Sequence, residues 1–285
     1  MIKRLCVIGV GLIGGSLARA LREAKFVDEI IGASRNAGHL QKAVQLGVVD
    51  RYETDLAVAV KGADMVLVSV PLGAMNAVFT AIKGSLGVDA VVTDAGSAKA
   101  GVVEAVKAAI GEQPAWFVPG HPIAGTEQSG VEASFADLYK GRRVILTPTE
   151  KTSAAATQKV RAMWEAAGAI VNEMDVDHHD EVLAATSHLP HMLAFALVES
   201  LARMSEQREI FEYAAGGFRD FTRIASSDPV MWRDICIANR DALLATLETF
   251  RGDLDDLAAA IQDRDESRIL SIFQDAKAAR DGFAG

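Results

Sequence analysis

The chain has 285 residues, half of them hydrophobic, and 38 Asp and Glu against 29 Lys and Arg give it a formal charge of −9. It exceeds the roughly 100–200 residues of a single domain, so two compact units are expected. The negative balance argues against a nucleic-acid partner or an anionic membrane surface, which select clustered Lys and Arg. Apolar runs such as residues 65–72 fall short of the roughly 20 residues that span a bilayer. The early apolar run at residues 5–13 is broken by Gly9 and Gly11 and has no cleavage-type sequence, so no signal peptide is expected. Cys6 and Cys236 do not form a disulfide framework, and a cytoplasmic location follows.

In chain order, strands are expected at residues 5–8, 29–33, 65–70, 90–93, 116–119, 143–147 and 169–174, with helical segments between them, for example 14–24, 37–45 and 152–167. This alternation predicts an α/β fold, a doubly wound, mostly parallel sheet covered by helices, over residues 1–175. Beyond it no strand-like run appears, and residues 176–285 are expected to form an all-helical domain. There Leu244, Leu247, Phe250, Leu254, Leu257 and Ile261 step by three or four along one face of a long helix.

The first expected strand runs into Gly9-Val10-Gly11-Leu12-Ile13-Gly14, a G-x-G-x-x-G at a strand-to-helix turn. The first glycine permits the turn, the second lets a pyrophosphate approach the backbone, and the third lets helix and strand pack closely. The helix N-terminus beyond adds unpaired N–H groups and a positive dipole end. Gly9, Gly11, Leu12, Ile13 and Gly14 are therefore expected to hold a dinucleotide. The second strand ends at Ser34-Arg35-Asn36, where an acidic residue would contact the ribose hydroxyl of NAD. Ser34 and Arg35 suit a 2′-phosphate instead, which favours NADP and leaves NAD as the alternative.

In open α/β sheets ligands bind beyond the carboxyl ends of the strands. The loops expected there carry Ser69 and Pro71, then Ser97 and Lys99, then His121 and Glu127. His121, between Gly120 and Pro122 in an expected strand-end loop, is the candidate general base for a hydroxyl being oxidised. Ser97 is expected to contact the cofactor or His121, and Ser69 and Pro71 to line the cofactor. In the helical half, His188 and His191, with His178, His179 and Asp180 nearby, invite a metal reading. Pro190 lies between the first two and no Cys or Glu completes a ligand spacing, so no metal is expected. Arg219 and Arg223, four residues apart, would share a helical face and suit a carboxylate.

Taken together, GVGLIGGSLA, TDAGSAK, GHPIAGTEQSG, ILTPT, SHLPHMLAFAL and GGFRDFTRIASSDPVMW resemble, in this order, the prephenate/arogenate (cyclohexadienyl) dehydrogenase family of tyrosine biosynthesis, from about Lys3 to Phe250. The resemblance implies a Rossmann-type domain followed by a helical dimerisation domain, hence a homodimer. It also implies NAD(P)-dependent oxidative decarboxylation of prephenate or arogenate to 4-hydroxyphenylpyruvate or tyrosine. In that scheme His121 is catalytic and Ser97 holds it and the cofactor; His191, Arg223 and Trp232 form the substrate pocket, with Arg219, Asp220 and Glu127 at its rim and His188 in support. A β-hydroxyacid dehydrogenase relative would need a catalytic lysine on the interdomain helix, and residues 177–203 contain none. The alternative of a different class is a non-catalytic, NADP-binding redox sensor acting through a helical dimer, which would not need His121 together with Ser97, Arg223 and Trp232.

Overall fold

The computed structural model describes residues 1–126, 128–204 and 207–283. Its strands are β1 (Ile2–Ile8), β2 (Val27–Ala33), β3 (Arg51–Glu53), β4 (Met65–Val68), β5 (Val91–Asp94), β6 (Phe117–Val118), β7 (Gly120–Pro122), β8 (Arg143–Leu146) and β9 (Ile170–Glu173). The first six helices are α1 (Leu12–Glu23), α2 (Ala37–Gln45), α3 (Leu56–Ala59), α4 (Met75–Ile82), α5 (Lys99–Ile110) and α6 (Ala154–Ala166). After them come α7 (Val176–Leu183), α8 (Leu189–Ala202), α9 (Gln207–Glu212), α10 (Gly216–Thr222), α11 (Pro229–Ala238), α12 (Arg240–Gln262) and α13 (Glu266–Phe283).

Strands β1 to β6 form a parallel sheet in the order β3-β2-β1-β4-β5-β6. Its central strands read as continuous apolar runs because both faces are covered. The period of two is visible in β1: Leu5 and Val7 join a core with Leu17 and Leu21 of α1, whereas Cys6 and Ile8 join one with Phe79 of α4 and Val102 of α5. All seven expected strands are present. In place of one mostly parallel sheet, however, β7, β8 and β9 form a separate three-stranded sheet, with β7 antiparallel to β8. The break falls at Pro119, which has no N–H to extend the first ladder; its carbonyl instead accepts from the Thr147 N–H after β8. His121, expected in a loop, therefore lies in β7, opposite Ile145.

No strand occurs after β9 among the described residues. Helices α7 and α8 are joined by a π-turn, Ala184–His188, that leads into Pro190 in the first turn of α8. Proline has no N–H for the i→i−4 ladder, and the wider turn absorbs the gap. The continuous helix Val176–Ala202 has the length and mean hydropathy, 1.2, to cross a membrane by composition alone. Here Asp180 is bonded to α5 and His188 to Asn239, so these two polar residues are built into the body of the fold.

By compactness the chain divides at Arg240, into Met1–Arg240 and Asp241–Gly285. The second unit consists of the rest of α12 and α13, with Asp265 before α13 accepting from the Arg268 N–H and the Ser267 hydroxyl. On α12 the expected stripe is present but uncovered in the single chain: Leu244, Leu254 and Ile261 are exposed, as are Leu270 and Phe273 of α13.

Candidate active site

The glycine turn between β1 and α1 assigns a different physical reason to each glycine. Gly9 has φ +92°, and a Cβ there would lie 2.3 Å from the Ser69 carbonyl oxygen. A Cβ on Gly14 would lie 2.4 Å from the Ser69 hydroxyl and 2.5 Å from the Gly9 carbonyl oxygen. A Cβ on Gly11 would meet nothing within 4 Å. Gly9 and Gly14 are thus required by packing, while Gly11 faces open space at an α1 N-terminus that no side chain caps. A backbone open to approach beside unpaired helical N–H groups fits a dinucleotide pyrophosphate. Leu12 and Ile13 supply N–H groups of that first turn. The Ser69 hydroxyl donates to the Gly9 carbonyl at 2.7 Å, so this serine fastens the turn. Pro71 starts the next turn, before Leu72–Ala74.

At the end of β2 the Ser34 hydroxyl accepts from the Asn36 N–H, and the Asn36 side chain caps α2 by accepting from the His39 N–H. Arg35 is exposed between them and makes no hydrogen bond or ion pair to another described residue. No acidic side chain occupies residues 34–36.

A buried ion pair orders the carboxyl edge of the sheet. Lys99 Nζ lies 2.5 Å from Asp94 Oδ2, and both side chains are wholly buried. The same two residues clamp Gly120: Asp94 Oδ1 accepts its N–H at 3.0 Å, and Lys99 Nζ donates to its carbonyl at 2.6 Å. Burial pushes the Lys99 pKa down, while the carboxylates of Asp94 and Asp180 oppose that shift. Gly120 fixes the next residue, His121, at the carboxyl ends of β5 and β6.

His121 is buried, and its Nδ1 lies 2.9 Å from His179 Nε2. His179 Nδ1 in turn lies 2.8 Å from Asp180 Oδ1. The Asp180 carboxylate also accepts the N–H groups of Lys99 at 2.7 Å and Ala100 at 2.9 Å, capping α5, whose own N-cap residue Ala98 has no side-chain bond to offer. Burial opposes ionisation of Asp180, but His179 and these two N–H groups hold its carboxyl below the ordinary range. Burial, with the neighbouring His179, Lys99 and His188, keeps the His121 pKa well below its usual value, so the ring is neutral at physiological pH.

Further along the same helix, His188 is wholly buried; its Nδ1 takes an N–H from Asn239, which also donates to the Asp180 carbonyl. His191 stacks on Trp232 with ring centroids 3.8 Å apart at 20°. Its Nδ1 faces the Ser187 carbonyl at 2.9 Å, so a neutral ring donates there and keeps its Nε2 as an acceptor. Trp232, on α11, is buried, and its indole N–H has no partner among the described residues, which fits a site for a polar ligand.

The structure thus joins His121 to the helix bearing His188 and His191, and His191 to Trp232. Ser97 is half-buried in the β5–α5 loop and makes no hydrogen bond to His121. Arg219 and Arg223 do not share one helix: α10 ends at Thr222 and Arg223 opens a short 3-10 turn. Both are exposed, with Arg219 bonded to the Ala214 carbonyl, while Asp228 caps α11. Glu127 lies outside the described residues. No group of His, Cys, Asp or Glu suited to a metal occurs among the described residues. The sequence reading missed His179 as the partner of His121 and Asp180 as the partner of His179. The available signal was the adjacent His-Asp pair at the start of an apolar helix, but only the fold brings it to a histidine 58 residues away.

A doubly wound sheet with a pyrophosphate-type turn, and a neutral histidine at its carboxyl edge, defines a nicotinamide-dependent oxidoreductase. Family models agree: the nucleotide-binding domain of prephenate dehydrogenase matches residues 17–173, and its dimerization domain matches residues 175–275. The chain belongs to the prephenate dehydrogenase family. It is 38% identical to the cyclohexadienyl dehydrogenase of Zymomonas mobilis over 98% of this chain and 95% of that one. It is 39% identical to prephenate dehydrogenase of Aquifex aeolicus, solved with hydroxyphenyl propionate and NAD+, with a TM-score of 0.91 and 98% of both chains covered. Synechocystis arogenate dehydrogenase is 29% identical, with a TM-score of 0.81 over 98% of this chain and 99% of that one. Nothing in these relatives favours the redox-sensor alternative.

Two outcomes follow. Gly14→Ala overpacks the turn and is expected to cost about 1–3 kcal/mol, whereas Gly11→Ala leaves thermal stability unchanged and weakens cofactor binding; equal melting temperatures for the two variants would contradict the division of roles. The second concerns acid. His121, His179, His188 and His191 all have folded pKa values below the ordinary 6.5, so the unfolded chain binds protons more readily, and the stability they contribute above pH 6.5 is lost as pH falls. For His188, pushed down to about 4 chiefly by burial, that span is worth about 3 kcal/mol. Thermal unfolding at pH 7.5, 6 and 5 should show a falling melting temperature, and a constant one would refute the buried neutral cluster.

Proposed function

We propose that this chain catalyses the oxidative decarboxylation of prephenate, arogenate or both, as a cytoplasmic homodimer, with residues 1–175 holding the cofactor and residues 176–285 carrying the substrate pocket and dimer face. The observation that carries the reading is His121 itself: a buried neutral imidazole with Nδ1 engaged by His179, which leaves Nε2 as the base. When bound at the glycine turn, a nicotinamide cofactor would supply the acceptor for hydride from the ring carbon that bears the hydroxyl. His121 takes the hydroxyl proton as carbonyl character develops. The proton returns to the same oxygen as the ring carboxylate leaves as CO2 and the ring becomes aromatic. Ser97, half-buried in the loop before α5, orients the cofactor and the hydroxyl beside His121. The His191 Nε2 and the Trp232 indole N–H address the polar groups of the substrate, Arg223 forks a carboxylate, and Arg219 and Glu127 lie at the rim. The exposed apolar residues of α12 and α13 supply the dimer face.

For the cofactor we favour NADP, with NAD as the alternative. Arg35 is an exposed guanidinium at the end of β2 with no acidic neighbour at residues 34–36, so nothing there repels a 2′-phosphate.

Formation of reduced cofactor, followed with prephenate or arogenate and with NAD or NADP, tests substrate and cofactor together; no turnover with any of the four pairs would reject the assignment. His121→Asn should retain cofactor affinity and lose roughly 10²–10⁴-fold in turnover, and near-native turnover would remove His121 from the role of base. Arg35→Ala should raise the Kd for NADP at least about tenfold, the scale of one charge-assisted contact, with little change for NAD; equal effects on both would return Arg35 to the solvent.

A further inference from the structure

The line of groups behind His121 is longer than a general base needs. From the Asp180 carboxylate outward, each proton position is determined by the one before it. Asp180 is an acceptor only, bonded to two backbone N–H groups at the start of α5, so His179 must present an N–H to it from Nδ1. A neutral His179 then carries a lone pair on Nε2, which can only accept, and His121 must donate its Nδ1–H to it at 2.9 Å. Both His179 and Asp180 are buried, and the two rings meet edge to face, 5.1 Å between centroids. The reaction proposed above requires a proton to leave the substrate oxygen at one stage and to return at another, and so requires a place to hold it meanwhile.

We propose that His179 and Asp180 are that place: His179 is a positioning residue that fixes the reactive tautomer of His121 and takes up its Nδ1 proton when Nε2 receives the one from substrate. The inference rests on His121 as the base. In the forward step the substrate O–H bond breaks and an Nε2–H bond forms on His121. At the same time the His121 Nδ1–H bond breaks and an Nε2–H bond forms on His179, leaving a neutral His121 and an imidazolium His179 against the Asp180 carboxylate. As CO2 departs, the two transfers reverse and the phenolic oxygen regains its proton, so the pair is unchanged over a cycle. Burial is the largest influence on both rings and disfavours a cation on either, but their charged neighbours differ. The charged and titratable groups that face the two rings are Lys99 from α5, Asp94 from β5, Asp180 beside His179 on α7, and His188 from the π-turn. Lys99 and His188 disfavour a cation at His121, and no carboxylate acts in its favour. Asp180 and Asp94 both act in favour of one at His179, against Lys99 and burial.

The test uses the full-length protein with whichever substrate and cofactor pair it turns over. His179→Gln keeps an oxygen able to accept the His121 N–H and cannot take a proton; His179→Ala removes both roles. Cofactor affinity, read by fluorescence titration, reports folding in each. If His179 stores the proton, both variants lose about ten- to a hundredfold in kcat, less than the roughly 10²–10⁴-fold of the base itself. KM stays within about twofold, and the acid limb of the kcat profile moves in both. If His179 only orients His121, Gln restores wild-type kcat and pH profile while Ala does not, and the proposal is overturned; wild-type behaviour of both overturns it as well. Should either variant fail to bind cofactor, Asp180→Asn decides: the same loss of kcat supports the store, and wild-type kcat ends it. Failure of the base reading is distinguishable, because His121→Asn would then retain turnover, whereas failure of the store alone leaves His121→Asn inactive beside an active His179→Gln.

Discussion

Lys99 and Asp94 form an ion pair with no solvent on either partner, and its geometry reaches well beyond the pair. Two charges taken out of water are costly unless their remaining hydrogen-bonding capacity is met. Here the carboxylate also accepts the Gly96 and Gly120 N–H groups, and the ammonium also donates to the Gly120 carbonyl. The pair thus locks the end of β5, the start of α5 and the first residue of β7 into one unit. Because Gly120 is held at both its N–H and its carbonyl, the direction in which His121 leaves the backbone is set by a buried electrostatic clamp and not by a mobile loop.

Helix α5 is fixed from its other side by Asp180. Its N-terminus has no capping side chain of its own, and the carboxylate that fills the role comes from α7, 80 residues later. An anionic group at a helix N-terminus is favourable for the dipole and for the orphan N–H groups. The consequence for the site is geometric: α7 is registered against α5, α5 carries Lys99, and Lys99 holds Gly120. His121 and its partner His179 are therefore referenced to the same helix end, and the 2.9 Å between their nitrogens depends on no flexible connection.

The parts legible in the sequence were those whose signal is local. The glycine turn announces itself because Gly9, Gly11 and Gly14 answer separate local demands of conformation, approach and packing. The strands of the parallel sheet announce themselves because burial on both faces leaves apolar runs such as Met65–Val68. His121 could be singled out because Gly120 and Pro122 flank it, although the flanking residues pointed to a loop and the structure places all three in β7. What the sequence could not supply was pairing across distance. Nothing local to His179 distinguishes a hydrogen-bond partner of His121 from a surface histidine such as His178, its exposed neighbour. Arg219 and Arg223 show a different limit: the spacing of four suggested a single helix, whereas α10 runs at Arg223 directly into a 3-10 turn with the backbone still right-handed helical.

Burying a row of histidines has an energetic logic once their protons are placed. A neutral imidazole offers one donor and one acceptor, and His121 and His179 serve each other through the Nδ1–Nε2 bond, whereas His188 takes an N–H from Asn239 and its buried Nε2 has no hydrogen-bond partner among the described residues. Asp180 anchors the row through His179, and Asn239 ties the Asp180 carbonyl to the His188 ring, so two histidines on one helix share a single fixed reference. The row ends at His121, whose Nδ1 is engaged by His179 and whose Nε2 has no hydrogen bond to another described residue. A carboxylate placed directly behind His121 would have raised the basicity of the ring. Burial, more than any one neighbour, holds the His121 pKa well below its usual value, and His179 connects that ring to the Asp180 carboxylate. In the proposed mechanism the two-ring spacing is what gives a proton accepted at His121 a place at His179 from which it returns.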